Sequence, residues 1–111
     1  MTIPSGTSGN DTISGGSGAD IINAGDGNDK VYAGAGNDTV DAGCGNDYVD
    51  GGSGNDKIDG GSGLDLLYGD AGNDSFAAKD GARDTVVGGG GKDRGTVDKG
   101  KDVVSGVEKV S

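Results

Sequence analysis

The stretch GGSGNDKIDGGSGLDLLYGDAGND, residues 51–74, repeats itself before it ends. It contains Asp56, Asp65 and Asp74, so successive carboxylates are nine residues apart. A glycine lies two places before each of these residues, and an apolar residue follows two places after it. Such regular spacing indicates an internal repeat, which has to be delimited before other features are interpreted.

The repeat extends on both sides of this stretch and gives eight tandem units of nine residues over 6–77. When Asp is counted as position six, every unit has Gly at position four and an apolar residue at position eight. Position two is Gly in six units, with Thr7 and Asp70 as the exceptions, and position five is Asn in six units. The position-six residues are Asp11, Asp20, Asp29, Asp38, Asp47, Asp56, Asp65 and Asp74. The position-eight residues are Ile13, Ile22, Val31, Val40, Val49, Ile58, Leu67 and Phe76.

Beyond residue 77 the repeat loosens but continues. Asp84 follows Asp74 by ten residues, whereas Asp93 and Asp102 return to the spacing of nine. Gly95 occupies a position that is apolar in the regular units. A stack of repeats needs a cap because its last coil has no neighbour. We therefore predict an N-terminal leader at 1–5, regular repeats at 6–77, and degenerate repeats with a C-terminal cap at 78–111.

The composition limits the folds and partners that are open to this chain. Its 111 residues include 27 Gly and no Trp, and only 30% are hydrophobic. A conventional two-layer domain needs more bulky side chains to offset the loss of chain entropy. The net charge of −10 disfavours nucleic acid or an anionic membrane as a partner and favours a cation. No apolar run is long enough to cross a bilayer, and a single cysteine cannot form an intramolecular disulfide.

Each unit divides into a turn and a short strand. Positions one to six are glycine and small or polar residues, which favour a turn. Positions seven to nine place one apolar side chain between two outward-facing neighbours, as in a strand. Two units would form one coil, and stacked coils would bury the position-eight side chains in a narrow core. The repeat therefore predicts an all-β solenoid, and its glycine content excludes a helix.

Stacking would bring the position-six carboxylates of units n and n+2 close together, where they repel each other. Such an array is unfavourable unless a cation lies between the turns. Carboxylate and carbonyl oxygens suit a hard cation, and a flexible loop with six or more ligands suits Ca²⁺ better than Mg²⁺. The glycines would let several backbone carbonyls point at one ion. The pattern therefore indicates calcium sites between the turns.

These units resemble the nonapeptide GGxGxDxUx of RTX (repeats-in-toxin) calcium-binding proteins. The resemblance is strict over 6–77 and loose over 78–105. It implies a right-handed parallel β-roll in which Ca²⁺ lies between turns n and n+2. The ligands would be position-six carboxylates and the carbonyls of positions one to four. Transferred to this chain, the regular pairs are Asp11/Asp29, Asp29/Asp47 and Asp47/Asp65 on one side, and Asp20/Asp38, Asp38/Asp56 and Asp56/Asp74 on the other.

The resemblance thus implies about six regular calcium sites. Further pairs are Asp65/Asp84, Asp74/Asp93 and Asp84/Asp102, although the extra residue before Asp84 leaves the register of the first two open. Carbonyl ligands would come from two rows of glycines. The position-four row is Gly9, Gly18, Gly27, Gly36, Gly45, Gly54, Gly63 and Gly72, and the position-two row is Gly16, Gly25, Gly34, Gly43, Gly52 and Gly61.

The function expected from these features is a calcium-binding module that folds when it binds Ca²⁺ and belongs to a secreted bacterial protein. Cytosolic Ca²⁺ is too scarce to load weak sites, so we expect an extracellular location and an adjoining toxin or enzyme domain. We expect no catalysis, because the chain has no His and its carboxylates are assigned to metal.

Three other interpretations of the sequence stay open. They are a disordered linker, a surface-recognition solenoid for ice or polysaccharide, and an isolated or engineered repeat scaffold. Two further expectations concern the surface: Cys44 should be at least half-exposed on a turn, and the three tyrosines should point outward from the strands.

Overall fold

The structure is a computed structural model that describes residues 9–77, 84–96, 103–105 and 109–110. These residues form short strands and turns and contain no helix. Each of the first eleven strands covers positions seven to nine of a unit, as the repeat predicts. The strands are β1 (Thr12–Ser14), β2 (Ile21–Asn23), β3 (Lys30–Tyr32), β4 (Thr39–Asp41), β5 (Tyr48–Asp50), β6 (Lys57–Asp59), β7 (Leu66–Tyr68), β8 (Ser75–Ala77), β9 (Thr85–Val87), β10 (Arg94–Thr96), β11 (Val103–Ser105) and β12 (Lys109–Val110).

The strands alternate between two parallel sheets. One sheet has the order β1-β3-β5-β7-β9-β11, and the other has the order β12-β10-β8-β6-β4-β2. Equivalent residues of successive coils are paired, so that Ile13 lies beside Val31 and Val31 lies beside Val49. This arrangement confirms the predicted all-β solenoid, a β-roll in which two units make one coil.

The core is a ladder of position-eight side chains from both sheets. In the eight regular units these residues are buried, from Ile13 at 7% exposure to Val31 and Val49 at 0%. The expectation of a single inward side chain per unit was too narrow. The structure also buries the small position-one residues Ala24 and Ala42, together with most position-six Asp side chains.

Two glycine rows shape the turns. From Gly25 onward, glycines at positions two and four have positive φ, for example 87° at Gly34 and 99° at Gly36. A Cβ on Gly34 would lie 2.5 Å from the carbonyl oxygen of Gly16 in the preceding turn. A Cβ on Gly36 would lie equally close to the carbonyl oxygen of Gly18. The turns can therefore stack at strand spacing because these positions lack side chains.

The irregularity after residue 77 does not disturb the stacking of the following strands. Leu66 pairs with Thr85 and Ser75 pairs with Arg94, in the same parallel register as the earlier coils. The extra residue falls in the sequence between Ala77 and Asp84, outside the described residues. The predicted leader and parts of the predicted cap also lie outside them.

Candidate metal sites between the turns

The position-six Asp side chains form two buried columns, one on each side of the roll. From Asp20 onward, each described member is at most 4% exposed, whereas Asp11 in the first coil is half-buried. Burying an ionised carboxylate is costly unless hydrogen bonds or an opposite charge compensate it. The partners of the two carboxylate oxygens therefore decide what these columns can bind.

From Asp29 to Asp93, one oxygen of each position-six carboxylate links successive turns. Oδ1 of Asp47 accepts a hydrogen bond from the backbone N–H of Asp29 at 2.8 Å, and Oδ1 of Asp56 accepts one from Asp38 at 2.9 Å. The structure therefore brings together turns n and n+2, which is the pairing that the resemblance implied.

The same hydrogen bond continues past the irregularity in the repeat. Oδ1 of Asp84 accepts the N–H of Asp65, and Oδ1 of Asp93 accepts the N–H of Asp74, both at 2.8 Å. The register that the sequence left open at these two pairs is thus maintained. Asp102 lies outside the described residues, so the pairing of Asp84 with Asp102 stays a prediction.

The second carboxylate oxygen is used differently. Oδ2 is buried and has no hydrogen-bond partner in Asp29, Asp38, Asp47, Asp56 and Asp74. In the unit at 51–59, a Cβ on Gly51 would lie 2.7 Å from Oδ2 of Asp56, so this oxygen faces the first residue of its own turn. A buried oxygen of an ionised carboxylate requires a hydrogen-bond donor or a cation. The columns therefore present repeated acceptor atoms that the described protein groups do not satisfy.

Burial also raises the pKa of several of these carboxyl groups. Burial, together with the neighbouring carboxylates of Asp74 and Asp38, raises the pKa of Asp56 to about 8 despite the lowering effect of the backbone hydrogen bond from Asp38. Burial likewise raises the pKa of Asp74 to about 7 and that of Asp47 to about 6. The charged form of the columns is therefore unfavourable in the protein alone, and a bound cation would favour it.

Backbone carbonyls supply the other oxygens of each turn. The close approaches of Gly16 and Gly18 to the next turn show that the carbonyls of positions two and four point into the gap between turns. Within the described residues, no three acidic, cysteine or histidine side chains converge on one point. A cation held here would be bound by few carboxylates and by several carbonyls. An all-oxygen donor set of this kind fits a hard cation such as Ca²⁺.

Sequence reasoning missed a second ladder, formed by the Asn residues of position five. Oδ1 of Asn28 accepts the backbone N–H of Asn46, and Oδ1 of Asn55 accepts that of Asn73, both at 2.8 Å. These bonds run from the later turn to the earlier one, opposite to the Asp bonds. The ladder lies on the exposed edge of the turns. The signal for it was the presence of Asn in six of eight units, which had been interpreted only as part of the repeat.

Two surface expectations are confirmed. Cys44 is exposed on a turn. The tyrosines at Tyr32, Tyr48 and Tyr68 stand on the outer face of the first sheet, where Tyr32 is exposed and the other two are half-buried.

A stack of turns that offers paired carboxylates and carbonyl oxygens to a hard cation defines a metal-binding repeat protein. The family model of the RTX calcium-binding nonapeptide repeat, which spans four copies, matches residues 5–40 and again 41–76. The chain therefore belongs to the RTX calcium-binding repeat family, whose β-roll is a structural calcium-binding module. No curated protein and no solved structure gives a significant match to the chain. In the described part of the chain, no helix is long and apolar enough to cross a membrane.

Proposed function

We propose that this chain is a calcium-dependent folding module of an extracellular bacterial protein. The observation that supports this most directly is the series of buried Oδ2 atoms without hydrogen-bond partners in Asp29, Asp38, Asp47, Asp56 and Asp74. Ca²⁺ between turns n and n+2 would satisfy these oxygens and remove the repulsion within each column. Its absence would leave the array of carboxylates to oppose folding.

The ligands in this proposal are the position-six carboxylates and the glycine carbonyls of positions two and four. About six ions would fill the regular pairs and bring roughly twelve positive charges to a chain of net charge −10. The maintained pairing of Asp65 with Asp84 and of Asp74 with Asp93 supports two further sites.

Coupled folding and binding would restrict the folded state to compartments rich in Ca²⁺. Extracellular modules can use weak sites, which cytosolic Ca²⁺ concentrations do not load. The chain would then remain unfolded inside the cell and fold outside it, because metal binding and folding are one process. The RTX repeat family is typical of secreted bacterial proteins, which supports this location. In a larger parent protein, the module would aid the secretion or folding of an adjoining toxin or enzyme domain, or act as a spacer.

Circular dichroism of the purified chain tests the proposal. We expect a disordered spectrum in excess EDTA, a β-rich spectrum in millimolar Ca²⁺, and little effect of Mg²⁺, which requires a rigid octahedral shell. Isothermal titration calorimetry would then count the ions bound per chain. A fully β-rich spectrum in EDTA that Ca²⁺ does not stabilise against heat would contradict the proposal.

The outer faces of the two sheets give less support to ice binding than the turns give to calcium binding. An ice-binding solenoid needs a regular row of Thr, whereas the position-seven row of the first sheet reads Thr12, Lys30, Tyr48, Leu66 and Thr85. An ice-recrystallisation assay on the Ca²⁺-loaded protein tests this alternative directly.

A further inference from the structure

The outer face of the first sheet carries a group of side chains that the proposed calcium sites do not use. We call it the tyrosine patch, and it consists of Tyr32, Tyr48 and Tyr68 with Asp50 and Asp70. Asp50 on β5 lies in register between Tyr32 on β3 and Tyr68 on β7. Tyr48 stands on the same strand as Asp50 and on the same face. Aromatic and acidic side chains from three neighbouring coils thus lie close together around Asp50.

The three rings contact each other but are not coplanar. The ring centroid of Tyr48 lies 6.0 Å from that of Tyr32 and 5.5 Å from that of Tyr68. The interplanar angles are 52° and 48°. Sugar rings stack best on flat aromatic platforms, which this tilted arrangement does not provide. The tilted faces instead offer several π surfaces to one compact ligand.

Two carboxyl groups give this patch its charge. The side chains of Asp50 and Asp70 lie within hydrogen-bonding distance of each other. Both groups lie close enough to Tyr48 to raise the pKa of its hydroxyl, although burial is the larger cause. Asp70 stands where most other units have Gly, and it adopts a left-handed φ of 64°. A residue in a strained conformation thus brings a second carboxylate to the tyrosines.

We infer that the tyrosine patch binds an organic ammonium group, through the faces of its tyrosine rings and the Asp50–Asp70 carboxyl pair. Aromatic rings attract ammonium and alkylammonium ions through their negative faces, and nearby carboxylates add an opposite charge. Neither acidic residue belongs to the buried position-six columns. The inference therefore requires a folded chain, but it does not depend on the positions of the calcium ligands.

Proton NMR of the Ca²⁺-loaded protein tests this inference. The chain has only three Tyr, one Phe and no Trp, so its aromatic spectrum is simple. The probes are tetramethylammonium chloride and N-acetyl-lysine methylamide, which distinguish a small alkylammonium ligand from a lysine side chain of a peptide. Sodium chloride at equal ionic strength and a neutral disaccharide serve as controls. We expect saturable shifts of the tyrosine resonances with half-saturation on the order of 1–10 mM for at least one ammonium probe.

Matched variants localise the effect. Asp50→Asn and Tyr48→Leu should each weaken ammonium binding about three- to tenfold. The control is Asp59→Asn on the opposite sheet, which should leave binding unchanged. It is a close match, because Oδ1 of Asp59 accepts the N–H of Gly61 at 2.9 Å just as Oδ1 of Asp50 accepts that of Gly52 at 3.1 Å. Circular dichroism would verify that each variant folds in Ca²⁺.

Three outcomes would overturn the inference. The first is that sodium chloride reproduces the tyrosine shifts at equal ionic strength. The second is that Asp50→Asn and Tyr48→Leu, both folded, bind the probe as well as the parent chain does. The third is saturable binding of the disaccharide without binding of either ammonium probe, which would make the patch a sugar site instead.

Discussion

At the scale of single residues, the two oxygens of a position-six carboxylate such as Asp47 have separate roles. Oδ1 is committed to the backbone of the preceding turn, as in the 2.8 Å bond from the N–H of Asp29 to Asp47. Oδ2 of Asp47 is buried without a hydrogen-bond partner. One side chain therefore joins the coils and also leaves an acceptor for a cation. Replacing such a residue removes both contributions at once.

Asp47→Ala should raise the Ca²⁺ midpoint of folding and lower its cooperativity more than Asp11→Ala does. Asp47 takes part in two predicted sites, with Asp29 and with Asp65, whereas Asp11 takes part in one. Loss of the Asp47 carboxylate also leaves the N–H of Asp29 without its acceptor, which costs roughly 1–3 kcal/mol in a buried position. Calcium titrations followed by circular dichroism would measure both midpoints.

Asp26→Ala provides the charge control for this comparison, because the side chain of Asp26 is exposed on a turn and is not a predicted ligand. It removes the same charge and should leave the midpoint nearly unchanged. Equal shifts in all three variants would mean that net charge alone governs folding, which contradicts the pairing of turns n and n+2.

The Asn ladder predicts a substitution that stabilises the fold. Ala19 occupies position five, where an Asn side chain would be able to accept the N–H of Asn37, as Asn28 accepts that of Asn46. Ala19→Asn should therefore increase stability in Ca²⁺ by about 0.5–1.5 kcal/mol, the usual contribution of one hydrogen bond. Ala19→Leu is the control, since it adds a side chain without an acceptor. Urea unfolding of both variants gives the comparison, and an equal gain from Leu would count against the ladder.

At the scale of the elements, each unit combines a three-residue strand with a turn that is built mainly from glycine. Strands of this length bury one side chain of position eight and have little stability alone. Their stability depends on stacking, which requires close approach of the turns. The turn is therefore the more demanding element, and substitutions there should be less tolerated than conservative changes in the strands.

Gly54→Ala tests this requirement. Gly54 has φ of 100°, and a Cβ there would lie 2.6 Å from the carbonyl carbon of Gly36. The combined backbone strain and steric overlap should destabilise the Ca²⁺-loaded fold by roughly 2–5 kcal/mol. In Gly90→Ala the new Cβ meets nothing within 4 Å, so that variant should be neutral or slightly stabilising. Thermal unfolding of both in Ca²⁺ distinguishes them, and similar melting temperatures would show that the turns tolerate a side chain.

At the scale of the whole molecule, the carboxylate columns link folding to both protons and metal. The raised pKa values, about 8 for Asp56, about 7 for Asp74 and about 6 for Asp47, exceed the value of 3.8 for an unperturbed Asp. The metal-free fold therefore binds protons more tightly than the unfolded chain does. Its stability should rise as pH falls from about 8 towards 4, and decline as pH rises through the same range.

Calcium should reverse this dependence, because protons compete with the metal for the carboxylates. We expect more β structure at pH 5 than at pH 8 in EDTA, and a lower Ca²⁺ affinity at pH 5 than at pH 8. Circular dichroism across this pH range, with and without Ca²⁺, measures both trends. Parallel trends in the two series would show that the buried carboxylates do not control folding.

Much of the fold was predictable because the repeat is linear. A period of nine with one apolar and one acidic residue per unit determines which residues recur in each coil, and parallel stacking then places equivalent residues beside each other. The strands, the two Asp columns and the outward tyrosines followed from this periodicity. The resemblance to RTX repeats supplied the pairing of turns n and n+2 and the calcium ligands, and the individual ligand positions remain a prediction.

The sequence by itself thus determined the order of elements, the composition of each column and the preference for a hard cation. Tertiary structure alone decided which atoms of these side chains meet which partners. In Asp56, for example, Oδ1 accepts a backbone N–H and Oδ2 has no hydrogen-bond partner. The Asn side chains form a ladder whose hydrogen bonds run in the opposite direction. Asp70 lies next to Asp50, beside Tyr48. The physical reason is that a period specifies which residues are neighbours along the stack. Side-chain torsions and contacts between different positions depend on packing in three dimensions, which no spacing along the chain encodes.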